Sequence, residues 1–230
     1  MIKNDEKKTT VKQRIVIIAI AVGMLGATFA LYAGIVLGNM NQTAQNEVNS
    51  EKEQRFQELY AEYSEKVEAQ SKELSGKYFD TFVEYKSRVK AFNAADVNTL
   101  STKDLKVGSG AEVTDSNYVD YAAYYVGWLS DGTVFDSSFN DPSNPSSLSA
   151  PLEGSVNMIQ GWLDGIVGMK IGGVREITIP SVLAYGDQEQ GKIPANSPLK
   201  FVVMLIEKPE EIEISEELES LYGELYGYSN

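Results

Sequence analysis

The sequence predicts an α+β fold in which a twisted antiparallel sheet carries one short helix, preceded by a transmembrane helix and an α-helical stalk. A long uncharged apolar run, a charged segment with helical periodicity, and short period-two runs separated by turn residues lead to this prediction. The segments are a basic start at 1–14, an anchor at 15–38, a stalk at 39–95, a globular domain at 96–209 and an acidic tail at 210–230.

The composition excludes several classes of function. Histidine and cysteine are both absent, so the chain has no imidazole or thiolate metal ligand, no disulfide and no cysteine nucleophile. The formal net charge of -13 opposes binding to phosphate backbones, and no basic stripe offsets it. We therefore expect neither a nucleic-acid partner nor a metal or other cofactor.

The N-terminal apolar run has the properties of a membrane anchor. Ile15 to Leu37 carries no charge, and at about 1.5 Å per residue it can cross a hydrocarbon core of about 30 Å. Lys and Arg precede the run, whereas none occurs from Asn39 to Ser50, so the positive-inside rule places the N-terminus in the cytoplasm. A cleaved secretory signal is the alternative, but the run is longer than a typical signal core. Both interpretations place the remainder of the chain outside the cell membrane.

The segment from Ala44 to Phe92 is charged, free of proline and helix-prone. Its apolar residues recur at steps of three and four, which indicates a helical stripe. The stripe consists of Phe56, Leu59, Tyr60, Tyr63, Val67, Leu74, Tyr78, Phe82, Tyr85, Val89 and Phe92. Gly76 could end a helix in a left-handed cap, so one continuous helix and a hairpin broken there are both open. A stripe of this kind needs a partner face, which either a homodimer through the stalk or packing on the chain's own domain would supply.

The globular domain is predicted from short extended runs. Strands are expected over Tyr118–Leu129, Thr133–Phe135, Arg175–Pro180 and Leu199–Glu207, the last nearly all apolar, as a covered central strand should be. Asp131-Gly132 predicts a hairpin turn between the first two strands. Met158 to Met169 reads as the one helix, with Ile159, Trp162, Leu163 and Ile166 facing the sheet.

Aromatic and apolar residues of this domain could line one apolar site. In chain order they are Tyr125, Phe135-Asp136, Met158-Ile159, Gly161-Trp162, Tyr185-Gly186, Ile193-Pro194 and Phe201. Any one of these aromatic residues is typical of an ordinary core, so only the joint pattern indicates a site. The pattern suggests that the site binds proline.

Sequence motifs in the same region carry a family resemblance. They are Gly108-Ser109-Gly110, Tyr125-Val126-Gly127, the run Asp-Gly-Thr-Val-Phe-Asp-Ser-Ser from Asp131 to Ser138, and Ile159-Gln160-Gly161-Trp162, followed by Gly165, Met169, Gly172, Ala184-Tyr185-Gly186, Ile193-Pro194 and Leu199-Lys200-Phe201. In this order and at these spacings, the segment from Leu105 to Glu207 resembles an FKBP-type peptidyl-prolyl isomerase. The resemblance implies the fold and the activity of that family.

The resemblance also implies roles for individual residues. Its catalytic set maps to Tyr125, Phe135, Asp136, Ile159, Trp162, Tyr185 and Phe201, and its further substrate-binding residues map to Met158, Ile193 and Leu148. Trp162 would form the floor of the pocket, and the Ile159 amide and the Tyr185 hydroxyl would donate hydrogen bonds to carbonyl oxygens of a bound peptide. Ser149, or Leu148 with a shifted gap, stands where an aromatic wall is common in the family. Asp136 is expected to shape the site rather than to act as an acid or base.

The expected function is therefore a peptidyl-prolyl cis-trans isomerase that assists the folding of exported proteins. Its partners would be proline-containing polypeptides and, through Ile15 to Leu37, a membrane. The alternative is a non-catalytic extracytoplasmic chaperone or adaptor that holds clients through the same domain and stalk. The loop from Phe139 to Ser149 is longer than in the minimal family member, which leaves the substrate preference open. The tail from Glu210 to Asn230 is either a short amphipathic helix or disordered.

Overall fold

A computed structural model describes residues 43–114, 121–153 and 158–227 of the chain. These residues form two compact units, one made of 43–67 with 211–227 and the other of Glu68–Glu210. Within the described ranges, no helix is both long and apolar enough to cross a membrane. The basic segment at 1–14 and the anchor predicted at 15–38 lie outside the described residues.

In the Glu68–Glu210 unit, the strands among the described residues form one antiparallel sheet. They are β1 (Ser101–Lys106), β2 (Tyr121–Trp128), β3 (Val134–Ser137), β4 (Leu152–Glu153), β5 (Val174–Ile179) and β6 (Leu199–Glu207). Their order is β1-β5-β6-β2-β3, with β4 paired to β2. The predicted strand Leu199–Glu207 is confirmed with the same bounds, and it pairs with β2 along the whole of that strand.

The hairpin predicted at Asp131-Gly132 is confirmed, because β2 and β3 pair antiparallel on either side of it. Gly132 adopts a φ of +90°, a conformation that glycine tolerates best, and the Asp131 carboxylate accepts a hydrogen bond of 2.8 Å from the Thr133 amide. This carboxylate interaction stabilises the turn locally. The sheet therefore turns back on itself immediately before Phe135.

The central strands β2 and β6 are buried on both faces of the sheet. Their alternate residues point to opposite sides, and each set packs in a core of its own. On the first face, Phe201, Val203 and Leu205 of β6 join a core that includes helix α2 (Gln160–Ile166), which follows helix α1 (Thr43–Val83) in the chain. On the second face, Val202, Met204 and Ile206 join a separate core. The nearly continuous apolar sequence of β6 reflects this burial on both sides.

Helix α1 (Thr43–Val83) is continuous through Gly76, so the hairpin alternative for the stalk is wrong. Apart from neighbouring residues of the helix itself, no atom of the described residues lies within 4 Å of the position that a Gly76 Cβ would occupy. In the Glu68–Glu210 unit, the end of α1 covers the second face of the sheet, where Phe82 is fully buried. The apolar stripe packs on the chain's own domain there, and the boundary predicted at 96 falls inside this unit.

The chain after α1 is fastened to the same face of the sheet. A 3₁₀ helix spans Glu84–Arg88, and Arg88 pairs with Glu176 of β5 at 2.6 Å. The Trp128 indole N–H donates to the Lys90 carbonyl at 2.9 Å, and the Phe92 amide donates to the Ser130 carbonyl at 2.8 Å. Residues predicted as part of a stalk therefore form a layer of the globular unit.

In the other unit, residues 56–67 of α1 pack against helix α3 (Glu216–Tyr226). Phe56, Tyr63, Leu218 and Tyr222 are buried between them. The Ser215 side chain caps α3 by accepting a hydrogen bond from the Leu218 amide at 3.2 Å, and Gly227 ends the helix at a φ of +75°. The amphipathic-helix alternative is thus confirmed for the described part of the tail. The homodimer through the stalk stays a prediction.

Candidate functional site

The site is built around the close approach of helix α2 to strand β5. Gly161 and Gly165 lie one turn apart on α2, and a Cβ at these positions would come within 2.2 Å of Ile179 and 2.6 Å of Ile177. Only glycine permits this separation, which places Trp162 in the core with no exposed surface. The helix is shorter than the predicted Met158–Met169, since it begins after Ile159 and is followed by a left-handed residue at Gly168.

Four aromatic rings, from Tyr125, Phe135, Trp162 and Phe201, form the aromatic cluster at the centre of the site. The ring centroids of Trp162 and Phe201 are 5.4 Å apart, those of Tyr125 and Trp162 are 5.5 Å apart, and those of Phe135 and Phe201 are 5.5 Å apart. All these pairs meet edge to face, with interplanar angles of 84° to 89°. Four of the aromatic residues predicted to share a site therefore form one connected cluster, which Phe135 joins through Phe201.

Gly127 of β2 makes room for two of these rings. A Cβ on Gly127 would lie 2.6 Å from the Phe135 ring and 2.7 Å from the Phe201 ring. The Trp162 indole N–H donates to the buried Tyr121 hydroxyl at 3.3 Å. This bond satisfies the one polar atom of the Trp162 side chain. The cluster is thus fixed by packing on one side and by a buried hydrogen bond on the other.

The Asp136 carboxylate is hydrogen-bonded to the side chain of Tyr125. The Tyr125 hydroxyl donates to one oxygen of the Asp136 carboxylate at 2.5 Å, and the other oxygen accepts from the Ser137 amide at 2.8 Å. Burial, together with the hydrogen bond to Asp136, raises the pKa of Tyr125 well above its usual range. Tyr125 therefore keeps its proton, and both oxygens of Asp136 are engaged within the chain.

Tyr185 and Ile193 lie on the loop between β5 and β6. Tyr185 is 37% exposed and follows a 3₁₀ turn at Ser181–Leu183, whose Ser181 carbonyl accepts from the Gly186 amide at 2.8 Å. Partial burial, and then the negative charge of Asp136, raise the pKa of the Tyr185 hydroxyl. The Tyr185 hydroxyl thus keeps its proton on a side chain that is partly exposed to solvent. Ile193 is buried in the same core as the aromatic cluster.

Met158 and Ile159 stand at the start of α2, where both pack partly buried against this core. The Ile159 carbonyl accepts from the Trp162 amide at 3.0 Å, which starts the helix. No described residue accepts a hydrogen bond from the Ile159 amide. Within the described ranges, no group of three or more acidic residues could hold a metal ion.

Leu148 is the predicted site residue that the structure places elsewhere. Its side chain is buried in the core of the second face, with Phe82 and Phe139, and does not join the aromatic cluster. The reason is the isolated bridge between Phe139 and Leu148, which turns both side chains toward α1. The assignment of Leu148 to the pocket is therefore corrected. Ser149, the other residue considered there, donates its hydroxyl to the Ser138 carbonyl at 3.2 Å.

Ser138 was not predicted as a functional residue. Its amide donates to the Tyr125 carbonyl at 2.8 Å, and its hydroxyl accepts from the Tyr125 amide at 2.9 Å. It therefore holds both backbone groups of the tyrosine whose side chain is in the cluster. The sequence feature that could have predicted a role for Ser138 is its position as the last residue of the Asp131–Ser138 motif.

Comparison with known proteins identifies relatives of the globular unit. The sequence profile of the family described as FKBP-type peptidyl-prolyl cis-trans isomerase matches residues 110–206. An FK506-binding protein of Neisseria meningitidis is 38% identical over 111 residues, which cover 48% of this chain and 96% of that protein. FK506-binding protein 4 of Aspergillus fumigatus is 42% identical over 112 residues, which cover 49% of this chain but 22% of that protein. The chain therefore matches only about a fifth of the length of this fungal relative. A crystal structure of AtFKBP13 has 36% sequence identity and a TM-score of 0.38, with coverage of 48% of this chain and 93% of that chain.

Proposed function

Because the chain belongs to the FKBP-type peptidyl-prolyl cis-trans isomerase family, we propose that it accelerates rotation about X-Pro peptide bonds by enclosing the proline ring in the aromatic cluster. The observation that carries this proposal is the edge-to-face packing of Tyr125, Trp162 and Phe201 beside helix α2, whose glycines lie against strand β5. An apolar site with few polar groups at its edge suits the ring of proline and the flanking amides.

The reaction requires little from acid–base groups. The planar amide is stabilised by resonance, and the barrier to its rotation is about 18–20 kcal/mol. At the transition state the amide is twisted and less charge-separated, so a desolvated aromatic site favours it over the planar ground state. A preference of about 4 kcal/mol would accelerate the rotation roughly a thousandfold. The reaction needs no nucleophile, so a chain without histidine or cysteine can supply the desolvated aromatic site that catalyses it.

Each residue of the site has a part in this mechanism. Trp162 forms the floor under the proline ring, while Phe135 and Phe201 form walls. The Ile159 amide and the Tyr185 hydroxyl donate hydrogen bonds to carbonyl oxygens on either side of the twisting bond. Asp136 holds Tyr125 in one orientation through their hydrogen bond of 2.5 Å. Asp136 therefore organises the site without exchanging a proton with the substrate.

We further propose that the enzyme acts on exported polypeptides from the outer side of a membrane. Support comes from the uncharged run Ile15 to Leu37 and from the Lys and Arg residues on its N-terminal side. A prolyl isomerase held there would meet chains as they emerge unfolded, when slow X-Pro isomerisation limits their folding.

The test compares two tyrosines that keep their rings but lose their hydroxyls. Tyr185→Phe removes the proposed donor, whereas Tyr226→Phe removes the hydroxyl of a tyrosine that is 46% exposed in the tail helix. We expect Tyr185→Phe to lower kcat/KM for an X-Pro test peptide about fivefold, equivalent to one hydrogen bond of about 1 kcal/mol. Tyr226→Phe should leave kcat/KM unchanged.

Absence of turnover by the folded wild-type chain would contradict the proposal. If that chain still bound proline-containing polypeptides, the non-catalytic chaperone would become the better interpretation. Equal activity of the wild type and Tyr185→Phe would remove only the donor role of Tyr185.

A further inference from the structure

The loop between the site and strand β4 begins as a short paired ribbon. The Ser149 amide donates to the Ser138 carbonyl at 2.8 Å, and the Asn140 amide donates to the Ser147 carbonyl at 3.2 Å. We call the paired segments 138–140 and 147–149 the ribbon. The ribbon begins at Ser138, two residues after Asp136, so a shift of the ribbon would be passed along the backbone to Phe135 and Asp136.

Helix α1 holds the ribbon from the second face of the sheet. The Leu148 amide donates to the Ser75 hydroxyl at 2.8 Å, and both residues are buried, with 3% and 6% exposure. The Phe139 ring stacks on Phe82 at 5.1 Å and meets Phe79 edge-on at 6.5 Å. A hydroxyl in the middle of a helix usually bonds within its own helix or to solvent. Here it accepts from a residue 73 positions away, so it joins the helix to the ribbon.

The ribbon in turn holds the aromatic cluster. Ser138 bonds both backbone groups of Tyr125, at 2.8 and 2.9 Å, and Tyr125 bonds Asp136 through its hydroxyl. A continuous series of buried and half-buried contacts therefore runs from Ser75 on α1, through Leu148 and Ser138, to the Tyr125 ring. Tyr124, the neighbour of Tyr125, provides a parallel contact, because its ring lies 6.3 Å from Phe82 on the opposite face.

We propose that Ser75, Phe82 and Phe139 are positioning residues for the isomerase, acting through the ribbon on Tyr125 and Asp136. The proposal rests on the proposed isomerase function and assigns part of the catalytic geometry to helix α1. A displacement of Tyr125 by a fraction of an ångström would spoil the fit to the twisted amide more than it would weaken binding of the ground state. The effect should therefore fall on kcat rather than on KM.

The test uses the full chain with Ser75→Ala, which leaves the buried Leu148 amide without its acceptor, and with Ser75→Thr, which restores a hydroxyl. Phe139→Leu is a second, independent weakening of the same connection. Val174→Ala is the matched control, since Val174 is fully buried in the same core but lies on β5, separated from β2 and β3 by β6. All variants are compared at a temperature at which thermal melts show them folded.

We expect Ser75→Ala and Phe139→Leu to lower kcat/KM about fivefold, mostly through kcat, and Ser75→Thr to recover most of the loss. Val174→Ala should lower stability without changing kcat/KM. A second readout is the indole N–H signal of Trp162, one of two tryptophans in the chain, in a heteronuclear NMR spectrum. Because the Tyr125 ring meets Trp162 edge-on, Ser75→Ala and Phe139→Leu should shift this signal, and Val174→Ala should not.

The inference is overturned if Ser75→Ala and Phe139→Leu behave as Val174→Ala does, with reduced stability, unchanged kcat/KM and an unchanged Trp162 signal. A wild-type chain without turnover would count against the isomerase itself. In that case the Trp162 signal still decides whether α1 positions the cluster.

Discussion

At the scale of single residues, Tyr121 and Tyr124 of β2 differ in what their buried hydroxyls bind. Tyr121 is 1% exposed and accepts the Trp162 indole N–H, whereas Tyr124 is fully buried, and among the described residues no partner lies within hydrogen-bond reach of its hydroxyl. Burying a hydroxyl without a partner costs free energy that a phenylalanine would not incur.

We therefore expect Tyr124→Phe to raise the free energy of unfolding by up to about 1 kcal/mol. Tyr121→Phe is its matched control, and it should lower the same quantity by about 1 kcal/mol because the Trp162 N–H loses its acceptor. Denaturant titrations of both variants against the wild type measure the difference. A larger loss for Tyr124→Phe than for Tyr121→Phe would show that the Tyr124 hydroxyl has a partner in solution.

The tyrosines of the site also determine how the protein responds to pH. The chain has no histidine, and burial, assisted by Asp136, raises the pKa of Tyr125, so this hydroxyl stays protonated near neutrality. We expect kcat/KM to be flat from about pH 6 to about pH 9, because a free tyrosine loses its proton only near pH 10. A bell-shaped profile centred near neutrality would indicate an acid or base that this mechanism does not contain.

Stability should fall at alkaline pH. Burial raises the pKa of both Tyr124 and Tyr125 in the folded state, whereas an unfolded tyrosine releases its proton near pH 10. Above about pH 10 the unfolded state therefore binds fewer protons than the folded state, and the free energy of unfolding decreases as pH rises. Denaturant midpoints measured from neutral to alkaline pH check this, and Tyr124→Phe should show a shallower decline than the wild type.

The residues of the site show what a sequence can and cannot predict. Motif order alone brought Tyr125, Phe135, Trp162 and Phe201 together as one set, and the structure places their rings in contact. Leu148 was misplaced because adjacent residues of an extended ribbon face opposite sides, and a gap shifted by one residue reverses the face. Whether these rings close on proline stays a prediction, as does the donor role of Ile159.

At the scale of elements, the long apolar strand β6 predicted burial on both sides, but not what provides it. The covering layer is the end of α1 with the chain up to Phe92, and sequence periodicity shows only that this segment has an apolar face. Which surface that face meets depends on contacts between residues far apart in the chain. Strand β1 was missed because most of its residues are polar and exposed, and β4 because it has two residues.

Because the end of α1 covers the second face of the sheet, a fragment that lacks α1 should fold poorly. A fragment of residues 96–209 lacks Phe82 and the rest of the layer, so it would expose the face formed by Tyr124, Val202 and Met204. Full burial of a side chain such as Phe82 contributes about 1.5–3 kcal/mol, a large part of the net stability of a small domain. We expect fragment 96–209 to aggregate or unfold without cooperativity, and fragment 68–210 to unfold in one cooperative transition.

Circular dichroism melts of the two fragments make this comparison. Phe82→Ala in fragment 68–210 is the graded control, and it should lower the free energy of unfolding by about 3–5 kcal/mol. A stable and cooperative fragment 96–209 would show that the α1 layer contributes little to the fold.

At the scale of the whole molecule, the described residues form two compact units with different contents. The unit of Glu68–Glu210 contains the aromatic cluster and its supporting layer. The other unit joins 43–67 to the acidic tail through a buried aromatic core and through exposed ion pairs such as Arg55–Glu217 at 2.8 Å. Exposed ion pairs contribute little to stability, so the aromatic core is the main support of the tail helix.

The proposed orientation across a membrane can be tested with cysteines, because the chain contains none of its own. Asn4→Cys lies in the basic start, and Ser50→Cys is at an exposed position on α1. The Lys and Arg residues before Ile15 are expected to stay on the cytoplasmic side, since positive charges are retained there during insertion. In intact cells a membrane-impermeant thiol reagent should therefore label Ser50→Cys at once and Asn4→Cys only after permeabilisation. Labelling in the reverse order would contradict the proposed location of the isomerase, and a labelled Ser50→Cys chain released from the membrane fraction would favour the cleaved signal over the anchor.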